Sequence, residues 1–181
     1  MASTTIDQTL PAGTWRVDPV HSSIGFAVKH MAVATFRGRF DDYDVTLETV
    51  DGAPRLTGSV KTDSIKVKDD DLAAHLVAPD FFDTQRYPEL TFVSTAIRRD
   101  GDELIVDGDL TIKGITRNVE ARGTTTGPAV TLGDVEKLGI ELETVVDRTA
   151  FGLEWNAPLP KGGFALANDV KLIVSLELAK E

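Results

Sequence analysis

The chain has 181 residues, no cysteine and a formal net charge of −10 at pH 7. That length suits one domain with a full core, and the missing thiols exclude disulfides, thiolate metal sites and cysteine nucleophiles. The acidic balance, with lysines and arginines scattered, argues against a nucleic-acid partner and against adsorption on an anionic membrane, since both draw their affinity from clustered positive charge.

Residues 1–12 are small and polar and read as a flexible tail, with a single domain over 13–181. The opening stretch has no basic start followed by an apolar core, so no export signal is visible and a cytoplasmic location is expected. No apolar run approaches membrane-spanning length, so no stable membrane insertion is expected.

From Trp15 to Phe40 the chain reads as strand, sharp turn at Asp18-Pro19, and a longer strand. Ile24, Phe26 and Val28 share one face of it, and Gly25, Ala27 and Lys29 the other. Tyr43, Val45 and Leu47 alternate on the next strand, and Asp51-Gly52 with Pro54 forms a turn. Leu56, Gly58 and Val60 follow on a strand running on towards Ile65. Asp69, Asp70 and Asp71 supply an N-cap and first-turn carboxylates for a short helix carrying Leu72 and Leu76, which Pro79 stops. Phe81 and Phe82 come next, unusually apolar for a connection.

Alternation resumes at Leu90, Phe92 and Ser94. Asp100-Gly101 marks a hairpin into Leu104, Val106, Gly108, Leu110 and Ile112, and Lys113-Gly114 turns the chain into Val119, Ala121 and Gly123. Residues 124–134 read as a loop. Leu138, Ile140, Leu142, Thr144 and Val146 then share a face, a long loop follows, and Val170, Leu172, Val174, Leu176 and Leu178 form the last strand. About nine strands with short turns imply an all-β antiparallel sheet. Closing it into a barrel hides the apolar face and removes the edges, with the helix at one mouth. A sandwich would hide that face as well.

Catalytic signatures are missing: no phosphate loop, nucleophile elbow or zinc-protease helix occurs. His21, His30 and His75 lack metal-ligand spacing, and no metal or cofactor is expected. His21 and Ser22 are strand neighbours pointing apart, so His21 reads as a turn residue bonding backbone near Asp18. Arg148 beside Asp147 reads first as a loop clamp and second as a contact for an anionic head group. Lys29 is expected in solvent. Arg37 and Arg39 are expected on an exposed edge, with a basic rim of a pocket as the other reading. Inward glycines such as Gly58 and Gly108 are expected to open space rather than fill it.

The ordered blocks W-R-V-D-P-V-H-S-S-I-G-F-A-V-K-H at Trp15–His30, G-R-F at Gly38–Phe40, D-F-F-D at Asp80–Asp83, R-Y-P-E-L-T-F at Arg86–Phe92, G-D-L-T-I-K-G-I-T at Gly108–Thr116 and D-R-T-A-F-G-L at Asp147–Leu153 resemble the YceI-like polyisoprenoid-binding family. The resemblance implies an extended lipocalin-like antiparallel barrel with one or two short helices. Its apolar tunnel would hold a long isoprenoid lipid, such as an isoprenoid quinone or a prenyl diphosphate, for binding, sequestration or transport without catalysis. Phe26, Val28, Phe40, Phe81, Phe82, Phe92, Leu110, Ile112 and Phe151 would line that tunnel, and strand parity independently favours Phe26, Phe92, Leu110 and Ile112. His30 and Arg148 would meet the head group. Ala167-Asn168 stands where relatives often have a glycine-containing turn, which asparagine can replace in the left-handed conformation. An enzyme acting on a lipid and a solid barrel with no ligand are the other readings. A homodimer stays open, needing an apolar patch apart from the barrel interior.

Overall fold

The computed structural model describes residues 9–181. The alternating segments form β1 (Thr14–Val17), β2 (Ser23–His30), β3 (Ala34–Phe40), β4 (Tyr43–Val50), β5 (Ala53–Lys61), β6 (Ile65–Lys66), β7 (Glu89–Asp100), β8 (Glu103–Ile112), β9 (Ile115–Val130), β10 (Glu136–Asp147) and β11 (Leu166–Lys180). The single α-helix among the described residues, α1, spans Asp70–Val77.

The topology is simpler than eleven labels suggest. β2 pairs with β3 and β1 with β4, while β11 pairs with both β1 and β2. β1–β2 is therefore one strand interrupted between Val17 and Ser23, and β3–β4 is the next, bent at Asp41-Asp42. With these counted as composites, eight antiparallel strands follow one another around a closed barrel in chain order. Closure leaves no long unpaired edge, which is how such a sheet avoids pairing with other chains. At Asp18 the break is built from side chain and backbone: Val20 N–H donates to Asp18 Oδ1 at 3.1 Å and Asp18 N–H to the Glu177 carbonyl at 2.8 Å.

Several expectations are corrected. The ribbon from Trp15 to Phe40 contains a further turn at Met31-Ala32, with φ of +52° and +59°, so Phe36 and Phe40 belong to a separate strand. Left-handed residues in a hairpin turn are ordinarily asparagine or glycine, and neither is present among Met31, Ala32 and Val33 to announce it. Residues 124–130 are strand, not loop: Thr124, Thr125 and Thr126 keep register with Glu141, Ile140 and Gly139. Gly127 and Pro128 fall at a register shift, so the ladder resumes at Ala129 without needing the proline's missing N–H. Of the expected tail, residues 1–8 lie outside the described residues, whereas Thr9 and Leu10 are buried, so the packed chain starts before residue 13. Ala167 and Asn168 occupy a bulge of β11 and not a left-handed turn.

The helix begins as expected. The Asp69 carboxylate accepts the Leu72 N–H at 2.8 Å, and the chain leaves helical conformation at Ala78, ahead of Pro79. Lys113, in the β8–β9 turn, donates to the Pro79 carbonyl at 2.8 Å and holds this end of the helix against the barrel.

The interior divides in two. Around Trp15, Leu47, Leu104, Leu138, Ile140 and Leu178 the side chains meet across the barrel and are almost fully buried. The other half, under α1 and the loop between β10 and β11, is organised differently.

Candidate functional site

On β11, Val170, Leu172 and Val174 point inward yet are only half-buried, whereas Leu176 and Leu178 further along the same face are buried. Side chains that face the interior and still keep accessible surface face a void. That void is a cavity of about 460 Å³. It reaches as far as Leu176 on β11 and Leu142 on β10, and stops short of Leu178 and Ile140. The barrel is thus filled at the Trp15 end and hollow at the helix end.

All nine residues expected to line a tunnel lie on this cavity wall: Phe26, Val28, Phe40, Phe81, Phe82, Phe92, Leu110, Ile112 and Phe151. The wall also includes residues that were read only as core or not singled out, among them Phe36, Leu90, Val119, Trp155, Leu166 and Leu172. Alternation on β11 put Leu172 on the inward face but could not separate lining from filling. Trp155 sits in a loop without periodicity, so no pattern pointed to it.

Aromatic packing shapes the wall. Phe40 meets Phe82 edge-on at 5.7 Å between centroids, joining β3 to the segment after α1. His75 of α1 is held edge-on between Phe81 at 4.9 Å and Trp155 at 5.0 Å. Such pairs favour edge-to-face contact because ring edges are positive and ring faces negative. Helix, Phe81-Phe82 and the Trp155 loop are thereby tied into one cap over the hollow half.

Two glycines act unlike the expectation that inward glycines leave space. A Cβ on Gly108 would lie inside the contact distance of the Phe92 ring and 2.7 Å from the Val93 carbonyl oxygen. A Cβ on Gly38 would lie 2.5 Å from Phe26 Cζ. Each glycine is the seat of a phenylalanine ring, which is how those rings lie flat along the wall. Gly58 does behave as expected, with nothing nearer than 3.7 Å to an added Cβ.

Polar side chains are few. The lining residues with polar side chains are His30, Thr57, His75, Glu143, Thr144 and Arg148. His30 is exposed where the wall reaches the surface. His75 Nε2 lies 3.2 Å from Asp80 Oδ2, whose side chain is largely in solvent. Arg148 is 95 % buried, at a relative exposure of 5 %. Its Nε donates to the Ala167 carbonyl at 2.8 Å, and its Nη1 to those of Leu153 and Trp155 at 2.6 and 2.8 Å. This is the loop-clamp role. Its Nη2 is buried and has no partner among the described residues. Burial lowers the Arg148 pKa, with Asp147 opposing.

The remaining candidates lie away from the cavity. His21 is a turn residue bonded to the backbone near Asp18 as expected, its N–H donating to the Asp18 carbonyl at 3.3 Å, and its Nδ1 also contacts the Asp18 carboxylate at 2.9 Å. Ser22 Oγ instead bonds the backbone of Glu177. Ligand atoms of Asp18, His21 and Glu177 lie within 4.8 Å of one another. The Lys137 ammonium already donates to both carboxylates, at 3.2 Å to Asp18 and also to Glu177. Arg37 and Arg39 are exposed on β3, and Arg39 pairs with Asp41 at 2.9 Å.

The fold and cavity define a class: a closed up-and-down β-barrel, solid at one end and hollow and apolar at the other. The chain belongs to the YceI-like domain family, whose model matches residues 15–178. A Staphylococcus aureus (strain USA300) protein of the UPF0312 group is 33% identical over 169 residues, covering 90% of this chain and 95% of that protein. Burkholderia cenocepacia BcnA has a similar structure, with a TM-score of 0.76 at 22% identity, covering 89% of this chain and 98% of that one. A polyisoprenoid binding domain from Saccharophagus degradans, implicated in plant cell wall breakdown, matches with a TM-score of 0.68 at 12% identity, covering 94% of this chain and all of that one. No helix among the described residues is long and apolar enough to cross a membrane.

Proposed function

We propose that this barrel is a non-catalytic carrier or store for a lipid with an isoprenoid tail, such as an isoprenoid quinone or a prenyl diphosphate. The observation that carries the reading is the half-burial of inward apolar residues around a cavity of about 460 Å³, in a family with a polyisoprenoid-binding domain among its structural likenesses. The tail takes the place of water along the wall from Phe92 to Leu172. The head group sits towards the surface opening, near His30 and the Arg148 side chain, both of which are on the cavity wall.

The size of the cavity sets a limit. At about 30 Å³ per chain atom, the volume a water takes in the liquid, it admits roughly fifteen carbons, or about three isoprene units. Their transfer from water is worth about 12 kcal/mol gross at ~0.8 kcal/mol per carbon, against an association cost of ~4–15 kcal/mol.

Two measurements test this. Solvent extracts of the purified protein, examined by mass spectrometry, are expected to contain a prenyl lipid. Titration with prenyl quinones of increasing tail length is expected to show affinity rising steeply to about three units and levelling beyond. An empty extract together with no uptake of any prenyl probe would refute the reading.

A further inference from the structure

The cavity wall reaches the surface at His30 and Met31, at the tip of the β2–β3 hairpin. The Met31 N–H donates to the Ala165 carbonyl at 2.7 Å, stitching this tip to the loop that precedes β11. Both tips show apolar side chains to solvent: Met31 is 40% exposed, Val33 82% and Phe164 62%. Met31 and Ala32 hold left-handed backbone conformations, where glycine or asparagine is the ordinary choice. Apolar residues thus stand on a hairpin tip whose geometry and exposure both favour polar ones.

The charge of these two segments is opposite to that of the molecule. Residues 23–38 contain Lys29 and Arg37 and no acid, and residues 155–168 contain Lys161 and no acid, in a chain of net charge −10. All three cations are exposed. Acids stand around these segments: exposed Glu154 and Asp169 bound the second, Asp169 preceding Val170, which pairs with Val28, and the helix over the cavity starts with Asp69, Asp70 and Asp71. The two tips themselves are therefore cationic and apolar on an acidic protein. The unfavourable adsorption expected from net charge applies to the rest of its surface, and a charged surface is felt only over about a Debye length, ~8–10 Å.

We propose that this mouth docks transiently on an anionic lipid bilayer, with Met31, Val33 and Phe164 entering the interface and Lys29, Arg37 and Lys161 meeting lipid phosphates. Exposed apolar side chains beside lysines are the combination that binds such an interface without spanning it. The inference rests on the lipid-carrier reading: an apolar tail could pass from bilayer to cavity without crossing water.

Co-flotation of the full chain with vesicles tests it. On vesicles of equal phosphatidylcholine and phosphatidylglycerol at ~0.15 M salt the protein floats, and it stays behind with pure phosphatidylcholine or at ~1 M salt. Lys161→Ala is expected to lower the partition roughly fivefold, the factor that matches ~1 kcal/mol per lysine at such a surface. Val33→Asp and Phe164→Asp lower it further. Those side chains are exposed, so folding is preserved, and a melting curve checks this. Partition that is absent, equal on neutral and anionic vesicles, or unchanged by these variants overturns the proposal. So does a dimer in sedimentation that Phe164→Asp dissolves, since a second copy would then be the partner. Uptake of a soluble prenyl probe without vesicles is measured in parallel. Its failure in the unmodified protein sinks the carrier reading, whereas normal uptake with no flotation sinks only the docking.

Discussion

Gly58→Leu offers the sharpest test of where a ligand sits. Gly58 lies on the cavity wall between Leu56 and Val60, opposite Val45 and Phe92, and an added Cβ meets nothing nearer than 3.7 Å. Its φ is not in the left-handed region, so a side chain costs no backbone strain there. Four new carbons take about 120 Å³ of the 460 Å³ at ~30 Å³ each, and displace about as many ligand carbons. At ~0.8 kcal/mol per carbon the loss is about 3 kcal/mol, or roughly a hundredfold in Kd. Apolar atoms fill an apolar hole, so the melting temperature should hold or rise. Trp155 on the wall provides a fluorescence readout of prenyl-quinone binding, while Trp15, fully buried in the solid half, gives a constant background. A folded Gly58→Leu protein with unchanged affinity would place the ligand outside this cavity and refute the reasoning.

Gly108→Ala should act in the opposite sense on stability. Its methyl collides with the Phe92 ring and the Val93 carbonyl, so overpacking costs roughly 1–3 kcal/mol in a denaturant titration, and the displaced ring narrows the cavity. Arg148→Lys should lose roughly 2–4 kcal/mol of stability, because one ammonium cannot replace a planar fork bonded to the Leu153, Trp155 and Ala167 carbonyls. Faster amide exchange confined to residues 153–167 would localise the damage. The Asp18 pKa is held down to about 2, chiefly by its hydrogen bond with His21 and also by Lys137. A lowered carboxylate pKa stabilises the fold above the unfolded value near 4 and ceases to as pH falls through about 2. The melting difference between wild type and Asp18→Asn should accordingly be present at pH 5 and vanish by about pH 2.

Much of the fold was legible in the chain because strand alternation is a local property. Parity alone assigns Leu104, Val106, Leu110 and Ile112 to one face of β8, and Asp69 announces the helix through its own side-chain chemistry. The turn at Met31-Ala32 was not legible, since its residues contradict the usual preference for that backbone. Residues 124–130 were misread for a related reason: Gly127-Pro128 signals a break, and a bulge absorbs it inside the sheet.

What the sequence by itself determined is which side chains turn inward and that those sides are apolar, because a period of two residues fixes facing direction whatever lies across the barrel. Only the tertiary structure decided that the interior is full at Leu178 and empty at Leu172, though both stand on one face of one strand. Hollowness depends on the distance to the opposite wall, and on rings such as Phe26 and Phe92 lying over glycines of neighbouring strands. The pairing of the two cationic tips has the same origin, since Lys29 and Lys161 belong to separate segments that meet through a hydrogen bond from Met31 to Ala165.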